Sequence, residues 1–351
     1  MRSTHTDRIC RVHHLTSSAL ALTLGAILGL SGGCSWVSGS NDSDGLTRAE
    51  RESAPSQNAD ETMSEAQRAR ELGDTETALA LLEQAIARNP ELTVAHLEMG
   101  NILREQGDLV SAERSFGRAA NLEPRNFDAQ YNHADVLHAL GRLVDAVRVY
   151  LRALAIRPND AAANRGLAAA YLEQDRPDWA LPYAEQAVRS DPQDGAARAN
   201  LGATYSLLDR HEEAIQEYEV AAELMDLTPD LLLNWANSLG AIERYTEMIN
   251  TLDASIAIEP SATAYERLGF AYFKLRRYDR ATEMFRSSLD LDQRHYPALN
   301  GLGVVLLNEY LQGGRENDAL RIEALSLLRR SLRINSNQPA FVQLISTYER
   351  G

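Results

Sequence analysis

The chain is poor in the residues that build most catalytic and metal sites. Its 351 residues include two cysteines, three tryptophans, six phenylalanines and a single lysine, Lys274. The sequence has no cysteine pair at metal-binding spacing, no His-Glu-x-x-His motif and no glycine-rich phosphate loop followed by lysine. His211-Glu212-Glu213 is similar to a fragment of a metal motif, but an acidic helix start is its ordinary interpretation. We therefore expect a non-enzymatic protein with no metal and no other cofactor.

Acidic residues outnumber basic residues by 50 to 35, and the formal net charge is −15. A chain with this charge repels the phosphate backbone of DNA or RNA. We therefore expect no nucleic acid among its partners.

Small residues and prolines recur every 34 positions along most of the chain. One series contains Gly100, Ala134, Ala168, Gly202 and Ala236; a second contains Ala78, Ala112, Ala146, Ala180 and Ala214; a third contains Pro90, Pro124, Pro158 and Pro192. A fixed period of this length indicates a stack of small units, each of which is too small to bury its own apolar face. Such a stack presents a long binding surface rather than a catalytic pocket.

The unit from residue 93 to residue 126 predicts two helices. Apolar and small residues follow helical spacing up to Leu103, and Gly107 is placed to end that helix with a left-handed backbone. A second helical pattern runs from Val110 to Leu122 and is followed by Pro124. We call these helices A and B of the unit.

The unit resembles the tetratricopeptide repeat, whose pattern is carried by Leu201-Gly202, Tyr205, Ala214 and Tyr218. The resemblance implies an all-α fold, a right-handed α-solenoid of about eight repeats over residues 59–336, with a capping helix at 337–351. The units predicted are 59–92, 93–126, 127–160, 161–194, 195–228, 229–261, 262–295 and 296–336. The sixth is one residue short, and the eighth has about nine extra residues, for which we expect a widened turn at residues 312–315.

The N-terminus has the features of an export signal. Basic residues precede an apolar run from Leu15 to Leu30, and Ser31-Gly32-Gly33-Cys34 follows. The position of Cys34 resembles a bacterial lipoprotein box, although Ser31 stands where leucine is usual. We expect residues 1–34 to be a signal peptide region that ends at a lipidated Cys34; an uncleaved membrane anchor and simple secretion are the alternatives. Residues 35–58, rich in polar residues, predict a flexible linker.

In the resembled family, helix A lines the concave groove and carries the peptide contacts. The corresponding candidates for peptide binding here are Asn101, Tyr131, Asn132, Asp135, Arg165, Asn200, Asn234, Asn237, Phe270 and Phe273. Three of the asparagines, Asn132, Asn200 and Asn234, share one position and resemble part of an asparagine ladder for extended peptide. The alternative is that asparagine is simply common at that position. The family's carboxylate clamp is not expected, because its lysine positions hold Leu97 and Ala162.

These patterns predict an exported scaffold that is tethered to a membrane through Cys34 and binds a protein or peptide partner of the cell envelope. In a cell with two membranes, the resemblance implies the outer membrane, with the chain facing the periplasm. The alternatives are a self-assembling solenoid, which uses its last helix to dimerise or stack, and an accessory subunit of an envelope enzyme.

Overall fold

Seventeen α-helices and no strands make up the described part of the chain. The computed structural model describes the backbone of residues 48–349 and the side chains of residues 58–349. The predicted signal peptide, Cys34 and residues 35–47 of the predicted linker lie outside the described residues. The helices are α1 Arg48–Glu71, α2 Thr75–Arg88, α3 Thr93–Glu105, α4 Leu109–Leu122, α5 Phe127–Ala139, α6 Leu143–Ile156, α7 Ala161–Glu173, α8 Pro177–Ser190, α9 Gly195–Leu207, α10 His211–Leu224, α11 Pro229–Ala241, α12 Tyr245–Ile258, α13 Ala262–Lys274, α14 Tyr278–Leu291, α15 Tyr296–Gln312, α16 Asp318–Ile334 and α17 Pro339–Tyr348.

The helices form eight consecutive pairs, α1–α2 to α15–α16, and α17 follows the last pair. This arrangement confirms the all-α solenoid. The odd-numbered helices from α3 to α13 have 13 residues each, and the even-numbered helices from α4 to α14 have 14. The sixth unit is one residue short because the turn after α12, residues 259–261, has three residues instead of four. Both helices of this unit keep their full length.

Two irregular segments differ in part from the expectation. The backbone of residues 48–58 is helical, so this part of the predicted linker belongs to α1. The segment lacks apolar periodicity and contains Pro55, but six of its eleven residues are arginine, glutamate or alanine, which have high helix propensity. In the eighth pair the turn is widened as expected, to the five residues 313–317, but most of the extra residues lengthen α15 and α16 to 17 residues each.

Each of the first seven A–B turns contains one residue with a left-handed backbone, and the eighth contains two, Gly314 and Arg315. Gly73, Gly107 and Gly141 hold this position in the first three pairs, with φ between 71° and 81°. The next four pairs place a residue with a side chain there, and its φ is between 59° and 62°: Asp175, Asp209, Glu243 and Arg276. The turn geometry is therefore kept where glycine is absent.

Large side chains of the B helices fill the space against small residues of helix A. The Phe116 ring is fully buried, and a Cβ added to Gly100 would lie 2.7 Å from it. Phe285 lies between Gly269 of its own pair and Gly301 of the next one, and a Cβ at either glycine would overlap its ring. The small residues thus allow a close helix crossing within each pair and a close approach between pairs.

A polar side chain near the start of helix A fastens the preceding turn in four successive pairs. The hydrogen bonds run from His96 Nε2 to Pro90 O (3.2 Å), from Gln130 Nε2 to Pro124 O (3.3 Å), from Asn164 Nδ2 to Pro158 O (2.9 Å) and from Arg198 Nε to Pro192 O (3.1 Å). Proline ends helix B, and its free carbonyl accepts a bond from the next helix A. Burial lowers the pKa of His96, which favours the neutral ring in that role.

The odd-numbered helices line the inner side of the stack. Helices α5, α7, α9 and α11 contact one another in series, and α13 contacts α15. Within the described range, no contact of this extent joins successive even-numbered helices, so these spread apart on the outer side. We call the two sides the inner face and the outer face. The A-helix candidates therefore belong to the inner-face helices.

Helix α17 covers the end of the stack. Ile345 is buried, and Phe341, Leu344 and Tyr348 pack against the apolar cluster of α15 and α16. The junction is also polar: Asn300 Nδ2 donates to Gln338 Oε1 at 2.6 Å, and Gln338 Nε2 donates to Ser331 Oγ at 3.0 Å. No helix in residues 48–349 is both long and apolar enough to span a bilayer.

Candidate functional site

The inner face of the second and third pairs carries a network centred on Arg104. This arginine donates to Asn101 Oδ1 (3.2 Å), Asn132 Oδ1 (3.1 Å) and Asp135 Oδ2 (3.3 Å). Three predicted residues from α3 and α5 are thereby brought together. Because both amide oxygens accept from Arg104, the two amide NH2 groups are directed elsewhere and remain as donors. Within residues 58–349 neither NH2 group has a hydrogen-bond partner.

Aromatic side chains lie beside this network. The Tyr131 ring stacks on Phe127 with a centroid distance of 5.9 Å, and it lies 6.3 Å from the Tyr150 ring. Burial is the main cause that raises the pKa of both tyrosines, and the carboxylate of Asp135 raises them further. Both hydroxyls therefore stay protonated at neutral pH and can act as hydrogen-bond donors.

Arg165 on α7 is held by the following repeat. Its Nε lies 3.0 Å from Asp194 Oδ2. The other carboxylate oxygen of Asp194 caps α9 by accepting from the Ala197 backbone N–H at 3.0 Å. The Arg165 side chain is half-buried and its Nε faces Asp194, so Arg165 serves the junction of two repeats.

The later asparagines do not join the Arg104 network. Asn200 is half-buried on α9 and Asn234 is exposed on α11. Within residues 58–349 neither side chain has a hydrogen-bond partner, although their backbone carbonyls accept from Thr204 Oγ1 and Ser238 Oγ. The Asn237 Oδ1 atom is buried without a partner in the same range. Of the three residues of the predicted asparagine ladder, Asn132 has its side-chain amide oriented by Arg104, whereas no hydrogen bond orients the amides of Asn200 and Asn234 within the described residues.

The two phenylalanine candidates differ in exposure. Phe270 is 37% exposed; its ring lies 6.2 Å from Tyr245, and Lys274 Nζ lies 5.7 Å from its centroid. Phe273 is half-buried against Tyr278 and the α15–α16 cluster, so it belongs to the core. Tyr245, which stands at the start of helix α12, was not among the predicted residues; an aromatic residue at the start of helix B was the available signal.

The histidines of the described part do not form a metal centre. His133 Nε2 lies 3.3 Å from Glu113 Oε1, and His138 Nε2 lies 2.9 Å from Glu173 Oε1. Burial lowers the pKa of His133, so its ring is neutral at pH 7. Within the described residues no three His, Cys, Asp or Glu side chains are grouped closely enough to hold a metal ion.

Models of the tetratricopeptide repeat match the chain at residues 69–115, 97–161, 165–230 and 262–295. Together these matches cover more than half of the sequence. The chain belongs to the tetratricopeptide-repeat family. No curated protein matches its sequence significantly.

Solved structures share the tetratricopeptide-repeat fold at low sequence identity. A tetratricopeptide repeat protein from Parabacteroides merdae is 18% identical, with a TM-score of 0.51, over 71% of this chain and 99% of that one. The Cut9–Hcn1 hetero-tetramer of the APC/C contains a chain that is also 18% identical, with a TM-score of 0.55, over 77% of this chain and 52% of that one. Pseudomonas aeruginosa pilF is 17% identical, with a TM-score of 0.50, over 59% of this chain and 94% of that one. At these low identities, the structural likeness establishes the fold and nothing further.

Proposed function

We propose that this tetratricopeptide-repeat protein is a non-enzymatic scaffold whose inner face binds an extended peptide or a helix of a partner protein. The observation that supports this most is the Arg104 network. Arg104 holds the oxygens of Asn101 and Asn132, so the two NH2 groups are oriented in advance as donors for peptide carbonyls. An amide that is already oriented loses little conformational entropy when a ligand binds.

Asn200 and Asn234 extend the donor row toward the C-terminal end of the inner face. The exposed ring of Phe270, beside Tyr245 and Lys274, offers an apolar contact in the seventh pair. A peptide that follows the inner face would place backbone groups against the asparagines and an apolar side chain against Phe270.

The partner that we propose belongs to the cell envelope, because the sequence predicts export and lipidation of Cys34. Metabolic labelling with an alkyne fatty acid tests the anchor. We expect label on the wild-type protein and none on Cys34→Ala. Label on both proteins, or on neither, would contradict lipidation of Cys34.

Self-assembly through the last helix is less well supported. The residues of α17 that face away from α15 and α16 include Gln343, Ser346 and Thr347, and Val342 is its one large apolar side chain that is half-exposed within the described residues. A surface of this kind offers little apolar area for a stable interface. A partner that is an envelope enzyme would make this chain an accessory subunit, and the same inner face would serve.

Photo-crosslinking in intact cells tests the inner face and also supplies the partner. A crosslinking residue placed at Asn200 should capture the partner, whereas one placed at Asn250 on the outer face of α12 should not. Binding of the captured segment is then measured with purified protein. We expect Asn132→Ala/Asn234→Ala to weaken it about tenfold, as the loss of one or two hydrogen bonds predicts.

The matched control is Gln216→Ala/Asn250→Ala, which removes two exposed side-chain amides from the outer-face helices α10 and α12. It should leave the affinity unchanged. Equal affinity of the inner-face variant and the wild type would refute the assignment of the inner face.

A further inference from the structure

The outer face of the first three pairs has two clefts that the proposed function does not use. One cleft, of about 410 Å³, lies between α2 and α4 over α3; its lining includes Ile86, Ala87 and Met99. The other, of about 380 Å³, lies between α4 and α6 at the start of α5; its lining includes Ala120, Ala155 and Ile156. The two clefts occupy the same place in successive repeats, since Arg118 and Arg152, 34 residues apart, line one each.

Arginines surround these apolar clefts. Arg114 and Arg118 line the first cleft, and Arg125 and Arg152 line the second. All four are exposed, and within residues 58–349 none of them forms an ion pair. The carboxylate that lines the first cleft is Glu83. The nearby carboxylates of Glu113 and Asp145 are engaged by other partners, which are Arg142, His133 and Arg148.

This positive charge is local and is not a property of the repeat. Arg114 and Arg148 share one position of helix B, and Arg118 and Arg152 share another. In the next three pairs those two positions hold Pro182 and Gln186, Gln216 and Val220, and Asn250 and Ala254. Three of these arginines, Arg114, Arg118 and Arg152, line the clefts, so the positive charge there comes from two repeats of a chain whose net charge is −15.

We propose that these two clefts form a second docking site, which binds an acidic amphipathic segment of a partner protein. The unpaired guanidinium groups are complementary to carboxylates, and the apolar lining is complementary to leucine-like side chains. A groove between two helices suits a helix with one apolar face. The site lies on the face opposite the asparagines, so one scaffold could hold two partners at once.

A protein segment fits these observations better than an anionic membrane. The strong net negative charge of the whole chain opposes its approach to an extended anionic surface, whereas a short acidic segment meets mainly the local arginines. The clefts are open grooves between helices, against which apolar side chains can pack.

The test uses a short labelled peptide with leucines at i, i+3, i+4 and i+7 and glutamates at the flanking positions. Its anisotropy is measured with the purified protein at low and high salt. We expect saturable binding that weakens with salt and is lost when the glutamates are replaced by glutamine or the leucines by serine. Arg118→Glu/Arg152→Glu should weaken it at least tenfold, and the milder Arg118→Gln/Arg152→Gln should weaken it less.

The matched control is Arg286→Glu/Arg333→Glu, which changes the net charge by the same amount on α14 and α16. It should retain the wild-type affinity within about twofold to threefold. Equal weakening by both charge reversals would reduce the effect to overall charge and overturn the site. Binding to vesicles of phosphatidylglycerol and phosphatidylcholine without binding to the peptide would overturn it in favour of a lipid surface.

The inner-face variant Asn132→Ala/Asn234→Ala separates this proposal from the proposed function. It should bind the acidic peptide like the wild type, because its substitutions lie on the other face. If it loses the peptide while Arg118→Glu/Arg152→Glu keeps it, the peptide binds the inner face and the second site is refuted.

Discussion

The first three helix pairs and the next four make the same A–B turn with different residues. Glycine holds the left-handed position in the first three turns, whereas Asp175, Asp209, Glu243 and Arg276 hold it in the others. The helices on either side have the same lengths in both groups from α3 to α14. The packing of one repeat on the next therefore dictates the turn, and residues with a Cβ accept a backbone that costs them about 1–2 kcal/mol. This predicts that the middle of the stack carries strain that its N-terminal part avoids.

The turn glycines are needed for their left-handed backbone conformation and not because a side chain would lack space. A Cβ at Gly73, Gly107 or Gly141 would meet no atom within 4 Å. The glycines inside the helices are the opposite case, because they have ordinary helical backbones and crowded surroundings. Substitutions of the two kinds of glycine should therefore have different causes and different remedies.

The largest effect is expected for Gly301→Ala in α15. The new Cβ would overlap the buried Phe285 ring, and we expect a loss of about 2 kcal/mol in the free energy of unfolding, despite the better helix propensity of alanine. Urea denaturation measures the loss, and hydrogen exchange should locate it in α13 to α15. Gly117→Ala is the matched control: its Cβ would lie 3.2 Å from His133, and the change should be close to neutral.

A cavity-forming partner substitution sharpens this result. In the double variant Gly301→Ala/Phe285→Leu the clash is relieved, so the two substitutions should cost less together than the sum of their separate losses. Strict additivity would show that space is not the reason for glycine at position 301.

A smaller loss, of about 1–2 kcal/mol, is expected for Gly107→Val. The β-branched side chain has free space but cannot adopt φ of 81° without strain. No substitution of a neighbouring side chain should rescue this variant, since there is no clash to relieve. Thermal unfolding with hydrogen exchange in α3 and α4 is the measurement. An unchanged unfolding temperature would break the comparison between the two groups of turns.

The 34-residue period predicts where the helices begin almost to the residue, because a stack accepts only one register. The same period does not show where the extra residues of the eighth pair are placed, since a lengthened helix and a lengthened turn differ little in local sequence. It also cannot reveal the Arg104 network. Those contacts join side chains 28 and 31 residues apart, and they depend on how one repeat lies on the next. The hydrogen bonds to the proline carbonyls were equally hidden, because four residue types share that position.

The smallest effect, and the most direct test of the comparison, is a gain. Glu243→Gly should raise the free energy of unfolding by about 0.5–1 kcal/mol, because glycine adopts φ of 62° without strain. Glycine also loses more backbone entropy on folding than glutamate does, but this loss offsets only part of the relieved strain. Asp175→Gly is the control, with a smaller gain, since aspartate tolerates the left-handed region better than glutamate does. Urea denaturation of both variants beside the wild type measures the difference. If Glu243→Gly were destabilising, the side chain of Glu243 would contribute a contact that outweighs its strained backbone, and the two groups of turns would then differ through side-chain packing.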